Sequence, residues 1–282
     1  VSHESARTRN PFGVLLKVAY DGQPFSGLAL QSNARTIAGE LLAAVRTLDP
    51  ESSGLRVCSR TDAGVHAQCQ YVAFDARQHI GSRGWLLGLT GHLPRQIAIL
   101  SVAKVAPGFQ PSKRAIQKTY AYSVLQGTLR DPFLEGRSWR VSERLNHGLM
   151  RREAQELLGT HDFRAFRGRA DFRVETRRTI KHVAVETSPG NPRVLELIVT
   201  GNAFLYHMVR IIAGTLVDVG RGKLESGAVT RALLSGDRLD LGMTAPPDGL
   251  CLREVVLDAD VSEQWPYHLD GEPADAVLTS LD

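Results

Sequence analysis

A chain of 282 residues with 34 Lys and Arg, 30 Asp and Glu, 43% apolar and 23% charged residues has ordinary globular composition, enough for one large domain or two smaller halves, each with a core. That balance excludes intrinsic disorder as a global description. No window approaches the roughly 18 to 20 uninterrupted apolar residues of a membrane helix, and the first apolar run, Val14 to Tyr20, is broken by Lys17.

In chain order, Gly13 to Tyr20 predicts a strand and Thr36 to Leu48 a helix, with Ile37, Leu41, Leu42, Val45 and Leu48 at helical spacing and Thr36 as N-cap. Leu55 to Cys58 and Cys69 to Phe74 predict two strands joined by a polar loop, followed by a weaker helix around Gly81 to Leu89 and a strand at Gln96 to Val102. The order β-α-β-β-α-β is the ferredoxin-like arrangement. After a Pro/Gly break at Pro107 to Pro111, Lys113 to Gln126 predicts a long strand, Asn146 to Leu158 a helix, Val183 to Thr187 and Val194 to Thr200 strands, Phe204 to Val219 a helix, and Leu250 to Leu257 a last strand. We therefore expect an α+β chain in two halves, residues 1–107 and 108–258, with a cleft between them as the default site and an acidic tail over residues 259–282.

The net charge of +4 is unevenly spread. Sixteen Lys and Arg stand against eight Asp and Glu from Gln110 to His182, and two against eleven from Asp237 to Asp282. Only six of the basic residues are Lys, so the positive charge sits on guanidinium groups, which fork onto phosphate and stack on bases. The cluster Arg164, Arg167, Arg169, Arg173, Arg177, Arg178 and Lys181 makes nucleic acid the partner to test, against the plainer reading of solvated surface charge. Three cysteines, Cys58, Cys69 and Cys251, are an odd number at spacings that fit no zinc pattern, so neither a disulfide framework nor a structural metal is implied. A cytoplasmic protein without a secretory signal is the expectation.

Between two apolar strands, Ser59-Arg60-Thr61-Asp62-Ala63-Gly64-Val65-His66-Ala67 packs a guanidinium, a carboxylate, a glycine and an imidazole into one loop. By its residues alone it reads either as a turn, with Thr61 and Asp62 bonded to local backbone, or as a site carried on a rigid sheet. A metal bound by Asp62 and His66 lacks further ligands, and a Ser59, His66 and Asp62 triad lacks a nucleophile elbow.

The string SRTDAGVHAQCQYVAF resembles the signature loop of the TruA family of tRNA pseudouridine synthases. Four further blocks follow in family order: Tyr20-Asp21-Gly22 with Phe25, Gly27 and Gln31; Lys118-Thr119-Tyr120-Ala121-Tyr122; Asn202 to Arg210; and Ala245 to Leu252. The resemblance covers about residues 13 to 258. It implies the pseudouridine synthase fold, two ferredoxin-like α+β halves with a joined, mainly antiparallel sheet and a central basic cleft. The implied reaction detaches uracil from ribose, rotates it and rejoins it through carbon 5, with no redox step, no cofactor and no metal. Asp62 is the implied catalytic carboxylate, Arg210 its partner, and Tyr120 the active-site tyrosine whose ring stacks on the uracil. Arg60 is the implied filler of the gap left by the everted nucleotide, Leu252 packs the other side of the base, and His66 and His207 join them as substrate-binding candidates. Arg164, Arg167 and Arg169 are the candidates for phosphate contacts. The implied partners are tRNA, modified in the anticodon stem-loop at positions 38 to 40, and a second copy in a homodimer, with no membrane.

Two departures stand out: Leu28-Ala29-Leu30-Gln31 follows Gly27 where the family has Trp-Gln-x-Gln, and Cys58-Ser59 stands where Ala-Gly is usual. They bear on RNA contacts rather than on Asp62. The rival readings are a non-catalytic RNA-binding or RNA-remodelling protein on the same fold, and a nucleoside or phosphate-ester hydrolase.

Overall fold

The computed structural model describes residues 11–258, so the acidic tail expected at 259–282 lies outside the described residues. The first half runs β1 (Phe12–Tyr20), α1 (Ile37–Leu48), β2 (Ser53–Val57), β3 (His66–Ala76), α2 (Ser82–His92) and β4 (Ile97–Val105). The second runs through a helical turn α3 (Pro111–Arg114), then β5 (Ala115–Gln126), β6 (Trp139–Val141), α4 (His147–Gln155), β7 (Gly159–Asp162), β8 (Arg177–Ser188), β9 (Asn191–Gly201), α5 (Met208–Gly220), α6 (Ala228–Ser235) and β10 (Leu250–Leu257). All ten strands form one sheet in the order β4-β1-β3-β10-β5-β9-β8-β7, with β2 on β3 and β6 on β5. It is antiparallel except at β10 with β3 and β5 with β6. Without the short β6, β7 and α6, the second half repeats the connectivity of the first: β4-β1-β3-β2 corresponds to β10-β5-β9-β8.

The join falls on β3, whose first residues, His66 and Ala67, pair with Cys251 and Leu252 of β10, whereas its far end pairs with β2. The segment from Cys58 to Val65 therefore leaves β2 and enters β3 where the two halves meet. The Pro/Gly break is fastened at the opposite end of β3: Arg56 grips Asp75 through two bonds of 2.9 and 2.7 Å and donates to the Phe109 carbonyl at 2.7 Å, while Gly108 N donates to Asp75.

Local rules account for most elements. Thr36 caps α1 by accepting from Gly39 N at 3.1 Å, and Asn146 caps α4 by accepting from Leu149 N. Apolar residues of α1 and of β1 and β3 close the first core, where Trp85 meets Phe74 edge to face at 5.0 Å. Helix α5 is buried all round except at Arg210, the expected state for a helix apolar on every face.

Three expectations are corrected. Lys113 and Arg114 belong to the turn α3 rather than to the long strand, because Pro111 starts a helical turn with its fixed φ. The strand expected at Val183 to Thr187 is longer: β8 begins at Arg177, so Arg177, Arg178 and Lys181 of the arginine cluster stand on the sheet. Helix α5 starts at Met208, not Phe204, and His207 precedes it in the left-handed region at φ 62°. No helix among the described residues is long and apolar enough to cross a membrane.

Candidate active site

The loop after β2 is held from beneath by Gln70, which has no exposed surface. Its carboxamide accepts from Ser59 N and Tyr71 N, both at 3.1 Å, and donates to Ser59 O at 2.7 Å. Higher in the loop, Thr61 Oγ1 meets the Tyr20 hydroxyl at 2.6 Å, and Thr61 O accepts from Leu28 N at 3.0 Å. Gly27, at φ 91°, lets the chain pass so close that a Cβ there would stand 3.0 Å from Thr61 O. Gly64, at φ 79°, closes the turn in which Val65 N donates to Asp62 O. Replacing Gln70 by Leu keeps the volume but strands three buried backbone groups, each worth about 1 to 3 kcal/mol when left unpaired. We expect Gln70→Leu to lower unfolding free energy by about 3 kcal/mol or more in urea titration; a change under about 0.5 kcal/mol would mean that the loop does not depend on this anchor.

The facing wall comes from the second half. Arg210, in the first turn of α5, donates through Nε to Ala245 O at 2.9 Å and through Nη1 to Asp62 Oδ2 at 3.0 Å. Ala245 N donates in return to Arg210 O. The stretch of chain carrying Ala245 runs along the same face of α5, where Gly242 N donates to Thr215 Oγ1 and Met243 N to Asp218 Oδ2. Asp218 is itself held by Arg221 at 2.6 and 2.9 Å. The guanidinium is thus clamped at two points, one on each half. His207 Nε2 lies 3.3 Å from the same Asp62 oxygen, and its ring stacks on Tyr206 at 3.7 Å. Tyr206 N donates to the buried Asp171 at 2.8 Å, which also binds Arg173 Nε at 2.9 Å.

Asp62 is consequently a carboxylate partly withdrawn from water, with a fixed cation and an imidazole at one oxygen. Burial pushes its carboxyl group up, but the His207 and Arg210 hydrogen bonds and charges outweigh burial and hold it below the usual carboxylate range. Asp62 stays ionised at neutral pH. Around it opens a cleft of about 910 Å³ whose walls come from both halves: Gly27 to Ala29 and Cys58 to Ala63 on one side, Lys118, Tyr120 and Phe204 to Arg210 on the other. Tyr120 meets Phe204 edge to face at 5.0 Å, and burial raises its hydroxyl well above the ordinary tyrosine value, so it remains a phenol. Tyr122, on the same strand face, is fully buried and donates to Pro246 O at 2.8 Å, which separates the two tyrosines of the Lys-x-Tyr-x-Tyr string.

The residues singled out from the sequence divide. Asp62, Arg60, Tyr120, His207 and Arg210 share this cleft. His66 does not line it: its Nδ1 accepts from Gly22 N at 3.2 Å, and Nε2 donates to Gly136 O at 2.8 Å, so the ring pins the two halves together. Leu252 stands opposite Tyr120 in the β5–β10 register but is fully buried, and Leu250 is the leucine that lines the cleft. Arg164 is paired with Asp162 and lies off the cleft, while Arg167 donates to Arg173 O at 2.9 Å and Arg169 is exposed on the same loop.

Lys118, to which the sequence alone attaches no role, lies two residues before Tyr120, hence on the same strand face. It lines the cleft and donates to Cys58 O at 3.2 Å, and burial lowers its ammonium pKa. Asp171 is a second such residue, its one signal in the sequence being an acid isolated among arginines. Of the departures, Leu28 turns into the core and Ala29 leaves a small side chain on the cleft wall. Among the described residues no three His, Cys, Asp or Glu side chains gather as a metal site needs.

Comparison with known proteins adds an independent line. The family described as tRNA pseudouridine synthase matches residues 154–258. The tRNA pseudouridine synthase A of Geobacter sulfurreducens is 40% identical over 243 residues, covering 86% of this chain and 98% of that protein. Its counterpart in Myxococcus xanthus is 36% identical over 259 residues, covering 92% and 93%, and that of Staphylococcus epidermidis is 33% identical over 248 residues, covering 88% and 91%.

Proposed function

The chain belongs to the tRNA pseudouridine synthase A family, an isomerase family acting on tRNA uridine, and we propose that Asp62 is the catalytic carboxylate of its uridine-to-pseudouridine reaction. The observation that carries this reading is the placement of Asp62 on the cleft wall with Arg210 and His207 at one oxygen, which leaves an ionised group facing a space large enough for a nucleotide. The Tyr120 ring walls the base site, and its phenol takes the carbon 5 proton only by passing its own onward. Lys118 and Arg60 supply positive charge beside the ribose phosphates. The isomerisation leaves the formula and oxidation state of the nucleoside unchanged, the carbon 5 proton leaving to solvent and another being taken up at the ring nitrogen released from ribose, so side chains suffice and no cofactor is called for. The five ordered sequence blocks support uridines of the anticodon stem-loop, positions 38 to 40, as the targets, and a homodimer in the cytoplasm as the working form.

Unmodified tRNA carrying tritium at carbon 5 of its uridines tests the reading directly. We expect label release by the protein alone, with carbodiimide-dependent reverse-transcription stops in the anticodon arm. No release across a broad panel of unmodified tRNAs would overturn it.

The arginines of the loop beside the cleft, half-buried Arg167 and exposed Arg169, give a second prediction. Replacing Arg167 and Arg169 together by Ala should weaken tRNA binding and flatten the slope of log affinity against log salt by about 0.7 to 0.9 for each phosphate that is no longer neutralised. An unchanged slope removes both from the RNA interface.

A further inference from the structure

The loop between β7 and β8 is short of freedom. Its ends are closed by Phe163 N donating to Thr176 O at 3.1 Å and Thr176 Oγ1 donating to Asp162 at 2.5 Å. Within it, Asp171 is buried and accepts from Arg173 N at 3.1 Å as well as from Tyr206 N. Arg173 donates in turn to Phe204 O at 3.2 Å. With residue 171 drawn inward and residue 173 fastened to the segment that carries His207, the residues between and beyond them are left pointing out. Phe172 is 88% exposed and Val174 100% exposed.

Folding has no use for a phenyl ring held in water, since its apolar area gains nothing until something covers it. The surroundings say what that is. Ala170, Asp171 and Arg173 line the cleft that holds Asp62, so Phe172 stands on its rim. Arg167 and Arg169 precede it on the loop, Arg173 follows it in an ion pair with Asp171, and Arg177 opens β8 just beyond, its N donating to Glu175 at 2.6 Å. A second copy meeting the same patch about a twofold axis would set this arginine rim against itself. A polyanion with flat apolar faces has no such conflict.

We propose that Phe172 is a stacking platform for an unpaired base of the substrate RNA next to the target uridine, with the flanking arginines on its phosphates. The proposal rests on the synthase reading above and adds a contact to it. An aromatic face flanked by guanidinium groups suits single-stranded RNA, because every base offers a π-face and the backbone supplies the charge. The contact is sequence-tolerant, so it secures the strand while the cleft receives the uridine.

The test compares the full chain with its Phe172→Ala, Phe172→Leu and Phe172→Trp variants on unmodified tRNA. Removing one stacking platform should raise Kd and KM about 10-fold in Phe172→Ala and Phe172→Leu, with kcat at saturating tRNA within about 3-fold of the parent. Phe172→Trp should keep the parent affinity, and its emission should be quenched by tRNA beyond whatever the parent's own tryptophans show. Parent-like affinity in Phe172→Ala would overturn the proposal. So would parent-like affinity in Phe172→Leu, which keeps apolar bulk without a flat face, or weakened self-association with tRNA affinity preserved. A parent chain that releases no tritium sinks the synthase reading itself, whereas an active parent matched by Phe172→Ala sinks only the stacking contact.

Discussion

Replacing Asp62 by Asn should reduce tritium release from labelled tRNA by at least about 10³-fold, the scale on which removing a group that acts at the reacting centre is felt. The substitution keeps the shape of the side chain and removes its charge, so its effect on affinity and folding should be small beside that. Asn still offers an oxygen to Arg210 Nη1, now at 3.0 Å from Asp62 Oδ2, and the guanidinium keeps its second bond to Ala245 O. We expect unfolding free energy within about 2 kcal/mol of the parent and tRNA Kd within about threefold. Together these separate an enzyme from an RNA-binding protein on the same fold, which would keep its function without the charge. Residual activity within about tenfold of the parent would remove Asp62 from the chemistry.

How far such a site can be read from sequence depends on whether a residue's role is set locally. Thr36 caps α1 through a bond three residues away, and the apolar spacing of Ile37, Leu41 and Val45 fixes which face is buried, so that helix was legible. The apolar runs of β1 and β10 were equally local signals. What escaped depends on distant partners. His207 looked like part of the α5 helix because Phe204 to Val219 is nearly continuous in apolar residues. It adopts φ 62° where Tyr206 is fastened to Asp171, 35 residues earlier, and no spacing rule reports that. His66 looked like a site residue because it sits in the signature loop, yet the first residue of β3 turns its ring toward Gly22 and Gly136. β6 and β7, at three and four residues, carry too little pattern to be read and exist through their partners, Val124 to Gln126 of β5 and Arg177 to Ile180 of β8. For Asp62 and Arg210 the loop and the helix were both recognisable, but their meeting across 148 residues came only from family resemblance.

That meeting yields the second large effect. Replacing Arg210 by Met removes the cation from Asp62 while keeping an unbranched apolar stem inside the buried helix, and the rate should fall by about 10² to 10³. Lys is not an adequate substitute, since the guanidinium spans two acceptors, Ala245 O and Asp62 Oδ2, that one ammonium on a flexible stem does not hold in the same geometry. The pH dependence distinguishes loss of charge from loss of shape. Burial raises the Asp62 carboxyl pKa, and His207 and Arg210 more than reverse that; with Arg210 gone, desolvation is opposed by His207 alone, so the carboxyl pKa rises. The active carboxylate disappears as pH falls through its folded-state pKa, so the acid limb of kcat/KM must move to higher pH in Arg210→Met. The stability that the ion pair contributes, present above the unfolded pKa and lost as pH falls through the depressed folded one, should shrink in the same variant. His207→Gln should move the limb in the same direction, and the double variant further than either, because both groups act on one oxygen. A slower rate with an unmoved acid limb would instead make Arg210 a support for the substrate and leave the ionisation of Asp62 to other groups.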